Sequence, residues 1–283
     1  APHAGLVGQD SLIVHDEAHL TPAFSDLLHR VTDVQRQADE PRPVQVMELS
    51  ATSRGDVGPA LRLESEDEND QFVKDRLDAE KRMRIHQERK GGFLETLVQL
   101  SKAHDTRQAK VLVYVRLPED AQKVLILLKG QLGQDAEKRI ALLTGTIRGH
   151  ERDMLVRKDP VYQTFLNPNV HADRTLYLIS TSAGEVGIDI DADHMVCDLT
   201  ALDSMVQRLG RVNRRGGKGR AALVDVVVQT EGQDRRGSPS QFKEAVKETR
   251  SVLNKWADKS QGAIDMSPRN LRALLDSLDD KRR

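Results

Sequence analysis

The sequence predicts an α/β fold in which parallel sheets are flanked by helices. Three observations point there. Short aliphatic runs recur along the chain as continuous apolar blocks, the pattern of strands buried on both faces. Helix-compatible stretches separate them, giving a strand–helix–strand order. Aromatic residues make up only 3% of the 283 residues and charged residues 31%, so the cores are aliphatic and the surface is heavily charged.

In order, Leu12–His15 reads as a buried parallel strand that delivers Asp16 at its carboxyl end. Pro22 is placed to start a helix, with Phe24, Leu27, Leu28, Val31 and Val34 at helical spacing, and Pro41 and Pro43 close it. Val44–Leu49 is a second strand ending on Ser50-Ala51-Thr52. Residues 53–70 hold glycines, a proline and an acidic tract, and residues 71–90 are charged and helix-compatible, so both read as a boundary region. A second α/β series follows: strands at Val111–Val115, Ile140–Leu143, Thr175–Ile179, Met195–Leu199 and Ala222–Val228, and an amphipathic helix over Ala121–Leu132. Helices at about 240–257 and 268–278 finish the chain. The length suits two domains, or one and a half.

Several classes are set aside by composition. No apolar run approaches the ~20 residues that cross a bilayer, and no apolar leader is apparent. The single cysteine, Cys197, excludes an internal disulfide and suits a reducing cytoplasm; it sits in an apolar run that reads as buried. Net charge is −1, so bulk charge predicts no nucleic-acid partner, but local charge is uneven. Residues 64–80 hold eight acids against Lys74 and Arg76, while 205–222 hold Arg208, Arg211, Arg214, Arg215, Lys218 and Arg220 with no acid. The second cluster favours phosphate, of a nucleotide or of a nucleic acid.

Open parallel sheets bind ligands at the carboxyl ends of their strands, where Asp16 and Glu17 are expected. Adjacent carboxylates repel unless a cation or proton lies between them. An economical assignment gives Asp16 to Mg²⁺ through a water and Glu17 to the attacking water as base. Alone, the pair could equally be a helix N-cap. On a helix, Gln207, Arg211 and Arg214 fall at i, i+4 and i+7 and so would share one face. The small residues of Ser180–Asp189 let backbone amides approach a phosphate.

Asp16-Glu17-Ala18-His19 matches motif II of superfamily 2 helicases of the DEAH type, and Ser50-Ala51-Thr52 resembles motif III. Ser180–Asp189 resembles motif V, and Gln207–Arg214 matches motif VI, Q-R-x-G-R-x-x-R. The wording Gly-Arg-Val-Asn-Arg-Arg-Gly at 210–216, with residues 16–24 and 143–149, resembles the CRISPR-associated helicase–nucleases of type I interference systems. The resemblance spans most of residues 5–230. It implies a RecA-like architecture: the C-terminal part of a first motor domain (1–55), a charged linker (56–92), a second motor domain (93–232) and a helical extension (233–283). It implies ATP and Mg²⁺ as cofactors, with Asp16 and Glu17 at the metal and Asp16, Glu17, Arg211 and Arg214 catalytic. His19, Gly187, Asp189 and Gln207 would bind nucleotide, and Ser50 and Thr52 would couple hydrolysis to movement. Thr144, Gly145, Thr181 and Ser182 would touch nucleic acid.

The implied activity is ATP-driven movement on single-stranded DNA in the cytoplasm, alongside a CRISPR effector complex and a nuclease domain. No G-x-x-x-x-G-K-S/T phosphate loop occurs in the sequence. That absence, with Ala1 as first residue, leads to the expectation of a motor completed by an N-terminal half elsewhere and inactive without it. The first domain is then expected to show about two strands and an exposed apolar face. His104-Asp105 has no histidines nearby at metal-ligand spacing, so no nuclease centre is expected here. A non-catalytic nucleic-acid-binding or assembly module, and the motor of another DNA-processing complex such as a restriction enzyme, fit the same motifs.

Overall fold

The computed structural model describes residues 7–18, 21–50, 61, 63–88, 92–145, 154, 157–185, 188–217, 219–229, 240–257 and 262–282. The chain divides into two units, residues 1–63 and 64–283, each taken by itself.

In the first unit, β1 (Leu12–His15) and β2 (Gln45–Glu48) pair in parallel, with Leu12 opposite Gln45 and Val14 opposite Met47. Helix α1 (Pro22–Gln37) joins them and starts on Pro22, whose missing N–H is no loss in the first turn. It ends through Ala38 N donating to the Val34 carbonyl, before Asp39 turns left-handed at φ 52°. The core is small: Ala18, Leu28 and Val44 are buried. Gln35 bridges the helix to β2 by accepting from Val44 N at 2.9 Å. Leu12, Val14, Met47 and Leu49 on the strands, and Phe24, Leu27, Val31 and Val34 on α1, are exposed. Among the described residues this unit has the two strands and the uncovered apolar surface that the sequence leads one to expect.

In the second unit, seven strands of the described residues form one sheet, ordered β5-β6-β4-β7-β8-β3-β9. They are β3 (Glu80–Gln87), β4 (Lys110–Tyr114), β5 (Ile140–Leu143), β6 (Leu176–Ser180), β7 (His194–Asp198), β8 (Ala221–Val228) and β9 (Ile264–Asp265). All pairings are parallel except the edge strand β9, which runs antiparallel to β3. Every residue of β4, β6 and β7 is buried, as their unbroken apolar runs require. Helices α3 (Phe93–Lys102) and α4 (Pro118–Leu132) cover one face, packing Leu97, Val98, Val124 and Leu128 against Val111, Val113 and Val196. The other face carries α5 (Pro160–Leu166), α6 (Leu202–Leu209), α7 (Ser240–Ala257) and α8 (Pro268–Arg282), through Phe165, Met205, Leu253 and Leu274.

Three sequence expectations are corrected. Residues 56–92 are not a linker throughout: after α2 (Gln71–Leu77), β3 pairs with β8 along its whole length. Its period-2 signal is masked by charge, because Lys81 is buried beside Met83 and alternates with Arg82 and Arg84. The 233–283 segment is no appendage: among its described residues, Leu253 and Leu274 enter the core and β9 extends the sheet. The arginine-rich segment is helical only to Leu209. Beyond it Arg211 and Asn213 bond across to Ala192, and Asn213 adopts φ 42°, so Gln207, Arg211 and Arg214 do not share one helix face.

Candidate active site

In the first unit the acid pair sits in the turn after β1. Asp16 is exposed and accepts from Glu17 N at 3.0 Å, and Glu17 takes the left-handed region at φ 51°. The turn is held at both ends. Leu49 N donates to His15 O and Ala18 N donates to Leu49 O, at 2.9 and 3.0 Å. The His15 ring is fixed by Thr21 Oγ1 at 2.8 Å and by Ser25 Oγ at 3.3 Å. Ser50, exposed, immediately follows the residue that clasps the acid turn. His19 and Thr52 lie outside the described residues.

Mg²⁺ takes oxygen ligands, keeps several waters and is held by one or two carboxylates with phosphate oxygens. An exposed Asp16 beside Glu17 fits that donor set. Among the described residues no cluster of three or more His, Cys, Asp or Glu side chains could hold a metal by itself.

In the second unit four of the predicted residues gather at the carboxyl ends of the parallel strands, and the arginine segment lies against residues 189–192, which lead into β7. Thr144 and Gly145 follow β5, Thr181 and Ser182 follow β6, and Thr181 N donates to Leu143 O at 3.1 Å, so the four lie on adjacent strand ends. Thr144 and Thr181 are buried while Gly145 and Ser182 are exposed. The turn after β6 is tight: a Cβ on Gly184 would lie 2.3 Å from Ser180 Oγ, and the Gly184 carbonyl accepts from Tyr114 Oη at 2.6 Å.

The next residue, Glu185, is the hinge of the site, and sequence reasoning gave it no role. Its carboxylate accepts from Arg208 Nε at 2.7 Å, and its carbonyl accepts both Nε and Nη2 of Arg211, at 3.1 and 2.8 Å. Arg208 is 2% exposed and reaches the end of β7 too, donating from Nη1 to Asp198 Oδ1 at 2.6 Å and to the Asp198 carbonyl at 3.0 Å. Asp198 Oδ2 accepts from Arg116 N at 2.8 Å, which ties in β4. The Arg208 guanidinium lies 5.0 Å from the Tyr114 ring centroid.

Burial works against the Arg208 charge, but the pull of Asp198 and Glu185 outweighs it and holds the guanidinium protonated more firmly than usual. Burial pushes the Cys197 thiol up to about 12 and the Tyr114 phenol higher still, so neither supplies a nucleophile or base near neutrality. Two stretches of the sequence carry this cluster, but only the strand order brings them together.

Arg214 pairs with Asp189 at 2.6 Å, and its N–H donates to Asp191 Oδ1 at 3.0 Å. Asp189 is 75% exposed, so that pair holds by little in solution and can exchange for another anion. Gln207 is half-buried on α6. Gly187 lies outside the described residues. Arg220 donates to Asp191 Oδ2 at 2.7 Å and to Asp193 Oδ1 at 2.9 Å, bracing the segment from the β8 side.

His104 is not alone in space: it stacks on His194 with ring centroids 4.5 Å apart, and its Nε2 lies 3.6 Å from Asp225. Burial would raise the Asp225 carboxyl, but the nearby His104 ring and the hydrogen bonds from His86 and Arg84 outweigh it and hold the group well below the usual range. Arg84 makes that contact bidentate, at 2.9 and 3.1 Å. These groups form a polar joint between β3, β8 and the end of α3.

Residues 107–217 match the family described as CRISPR-associated nuclease/helicase Cas3, C-terminal. A stretch of 85 residues is 33% identical to the CRISPR-associated nuclease/helicase Cas3 of Methanothermobacter thermautotrophicus, covering 30% of this chain and 10% of the relative. The fold resembles that in the crystal structure of T. fusca Cas3-AMPPNP, with TM-score 0.65, 16% identity, and coverage of 99% of this chain and 38% of that one. It also resembles the helicase MrfA bound to DNA, with TM-score 0.53, 15% identity, and coverage of 86% and 32%. The chain therefore spans about a tenth of the curated relative it matches and about a third of these solved chains.

Proposed function

We propose, from the match of residues 107–217 to the Cas3 C-terminal family, that the chain supplies part of an ATP-hydrolysing motor that moves on single-stranded DNA. The observation that carries this reading is the anchoring of the arginine segment against the parallel sheet, with Arg208 tied to Asp198 at the carboxyl end of β7 and residues 211–213 tied to Ala192 just before that strand. The Arg211 guanidinium is held by the Glu185 carbonyl, and the Arg214 guanidinium pairs with the exposed Asp189.

Arg211 and Arg214 face the γ-phosphate, where charge accumulates during transfer. Arginines in that role contribute ~10³–10⁵ in rate. Asp16 and Glu17 would hold Mg²⁺, and Glu17 would orient and deprotonate the attacking water. Bound Mg²⁺ neutralises phosphate charge. His19, Gly187, Asp189 and Gln207 border the nucleotide. Because Ala18 N is bonded to Leu49 O, displacement of the acid turn reaches the adjoining Ser50, and Ser50 and Thr52 are the coupling residues of this reading. Thr144, Gly145, Thr181 and Ser182 contact the DNA backbone there.

The sequence contains no Walker-type phosphate loop, so another polypeptide segment completes the nucleotide site. That segment covers the exposed apolar face of the first unit. A separate nuclease domain and a CRISPR effector complex are the further partners, in the cytoplasm. No described helix is long and apolar enough to cross a membrane.

The test is the double variant Arg211→Ala/Arg214→Ala in the motor reconstituted with the phosphate-loop segment. Hydrolysis falls at least ~10³-fold while single-strand DNA binding stays within a few-fold. Loss of DNA binding with hydrolysis retained overturns the assignment.

A further inference from the structure

The arginine segment leaves its helix before Arg211, so something other than helical geometry must set where that guanidinium points. The Glu185 carbonyl receives the guanidinium itself, and strand β3 holds the backbone that carries it from both sides. Lys81, 3% exposed, donates from Nζ to the carbonyl of Leu209, the last residue of α6, at 2.8 Å. Its neighbour Glu80 accepts from the Asn213 side-chain amide at 3.0 Å, and the same amide reaches the Arg220 carbonyl at 3.1 Å. Adjacent residues of one strand thus grip the chain two positions before and two positions after Arg211. Between them Ala192 N–H donates to Arg211 O and the Ala192 carbonyl accepts from Asn213 N, at 2.9 and 2.8 Å, while Arg211 N donates to Arg208 O at 3.0 Å.

We propose that Lys81, with Asn213, is a positioning residue for the arginine segment: together they clamp residues 209–213 to β3 and so aim Arg211 at the nucleotide. The aim, though not the clamp, rests on the role given to Arg211 above. Packing alone does not call for an ammonium here, since an apolar chain of equal length would fill the site without the desolvation cost. What the ammonium adds is a charged donor at the negative end of α6. Burial lowers Lys81 to about 8; Asp191 opposes that shift, and Arg214 and Arg220 add to it. On the adjoining β9 the Asp265 carboxylate is engaged by Ser267 N. The strain at Asn213, φ 42°, is tolerated by an asparagine whose amide is doubly bound.

The experiment uses the 283-residue chain labelled with ¹⁵N-arginine, and reads hydrogen exchange at each guanidinium Nε–H by NMR. In Lys81→Met, protection of Arg211 Nε–H falls about tenfold or more, the order expected on losing one buried hydrogen bond from a charged donor. Arg208 Nε–H, held by the Glu185 carboxylate rather than by its carbonyl, stays within about twofold, the margin of a weak perturbation. Asn213→Gly, which keeps the left-handed backbone and removes the amide, gives the same selective loss. If both arginines keep their protection, or both lose it together, Lys81 and Asn213 have no positioning role and the proposal fails. Failure of the hydrolytic reading registers elsewhere, as an Arg211→Ala motor that still hydrolyses ATP, and leaves the exchange result standing.

Discussion

Replacing Arg208 by alanine removes the cation shared by Glu185 and Asp198. Both ion-pair distances are short, 2.7 and 2.6 Å, and the three side chains are 2%, 8% and 13% exposed. A buried carboxylate that loses its partner keeps its desolvation cost and forfeits the pairing, a change of about 3–5 kcal/mol. Truncation also opens a cavity beside Tyr114, which adds to the loss. The expected cost in Arg208→Ala is therefore about 4 kcal/mol or more. Trp256, the single tryptophan, packs against the core of the second unit and reports its unfolding in urea. A companion variant, Arg208→Met/Glu185→Gln/Asp198→Asn, removes all three charges and recovers at least half of the loss, because no uncompensated ion remains. A cost below about 1 kcal/mol for Arg208→Ala, the range of a surface ion pair, would refute the claim that this cluster holds the site together.

Burial lowers His194 to about 4, the neighbouring His104 adding to the shift, so the folded pKa is depressed below the unfolded 6.5. Stability from the neutral ring is complete above pH 6.5 and drains away as pH falls through 4, by at most about 3 kcal/mol. Urea midpoints between pH 7.5 and 4 check it, and His194→Gln should flatten that part of the profile. In Gly216→Ala, a Cβ at φ 65° would lie 1.7 Å from the Asp75 carbonyl, so the segment 71–79 must shift. A loss of about 2 kcal/mol or more in thermal or urea unfolding is expected. In Gly184→Ala the new methyl meets Ser180 Oγ at 2.3 Å and displaces the carbonyl bonded to Tyr114, costing about 1–3 kcal/mol in the same assay.

Legibility in the sequence followed how local each signal was. Strands β4, β6, β7 and β8 are written as apolar runs because both their faces are covered; α1 announces its start with Pro22, whereas α4 begins at Pro118, three residues before the start its apolar spacing suggests. Strand β3 was hidden because its buried positions include a lysine, whose place in the core is explained only by a carbonyl 128 residues away. The two-residue β9 carries no periodicity that could be read. Within the candidate site, Thr144 and Gly145 follow the strand that the apolar run Ile140–Leu143 announces. Spacing misled at one point: i, i+4 and i+7 imply a common face only while the helix lasts, and α6 stops at Leu209. Glu185 and Asp198, each an ordinary acid in sequence, gain their role from the β6-β4-β7 order that brings both to Arg208.

The most direct measurement is steady-state ATP hydrolysis by the motor completed with its phosphate-loop segment, comparing Glu17→Gln, Arg211→Ala and the two combined. The account predicts that each single change lowers kcat at least ~10³-fold and that the double change is scarcely worse, because both groups serve one transition state. Rates within a few-fold of the unaltered motor in either single variant, or losses that simply multiply in the double, would contradict it.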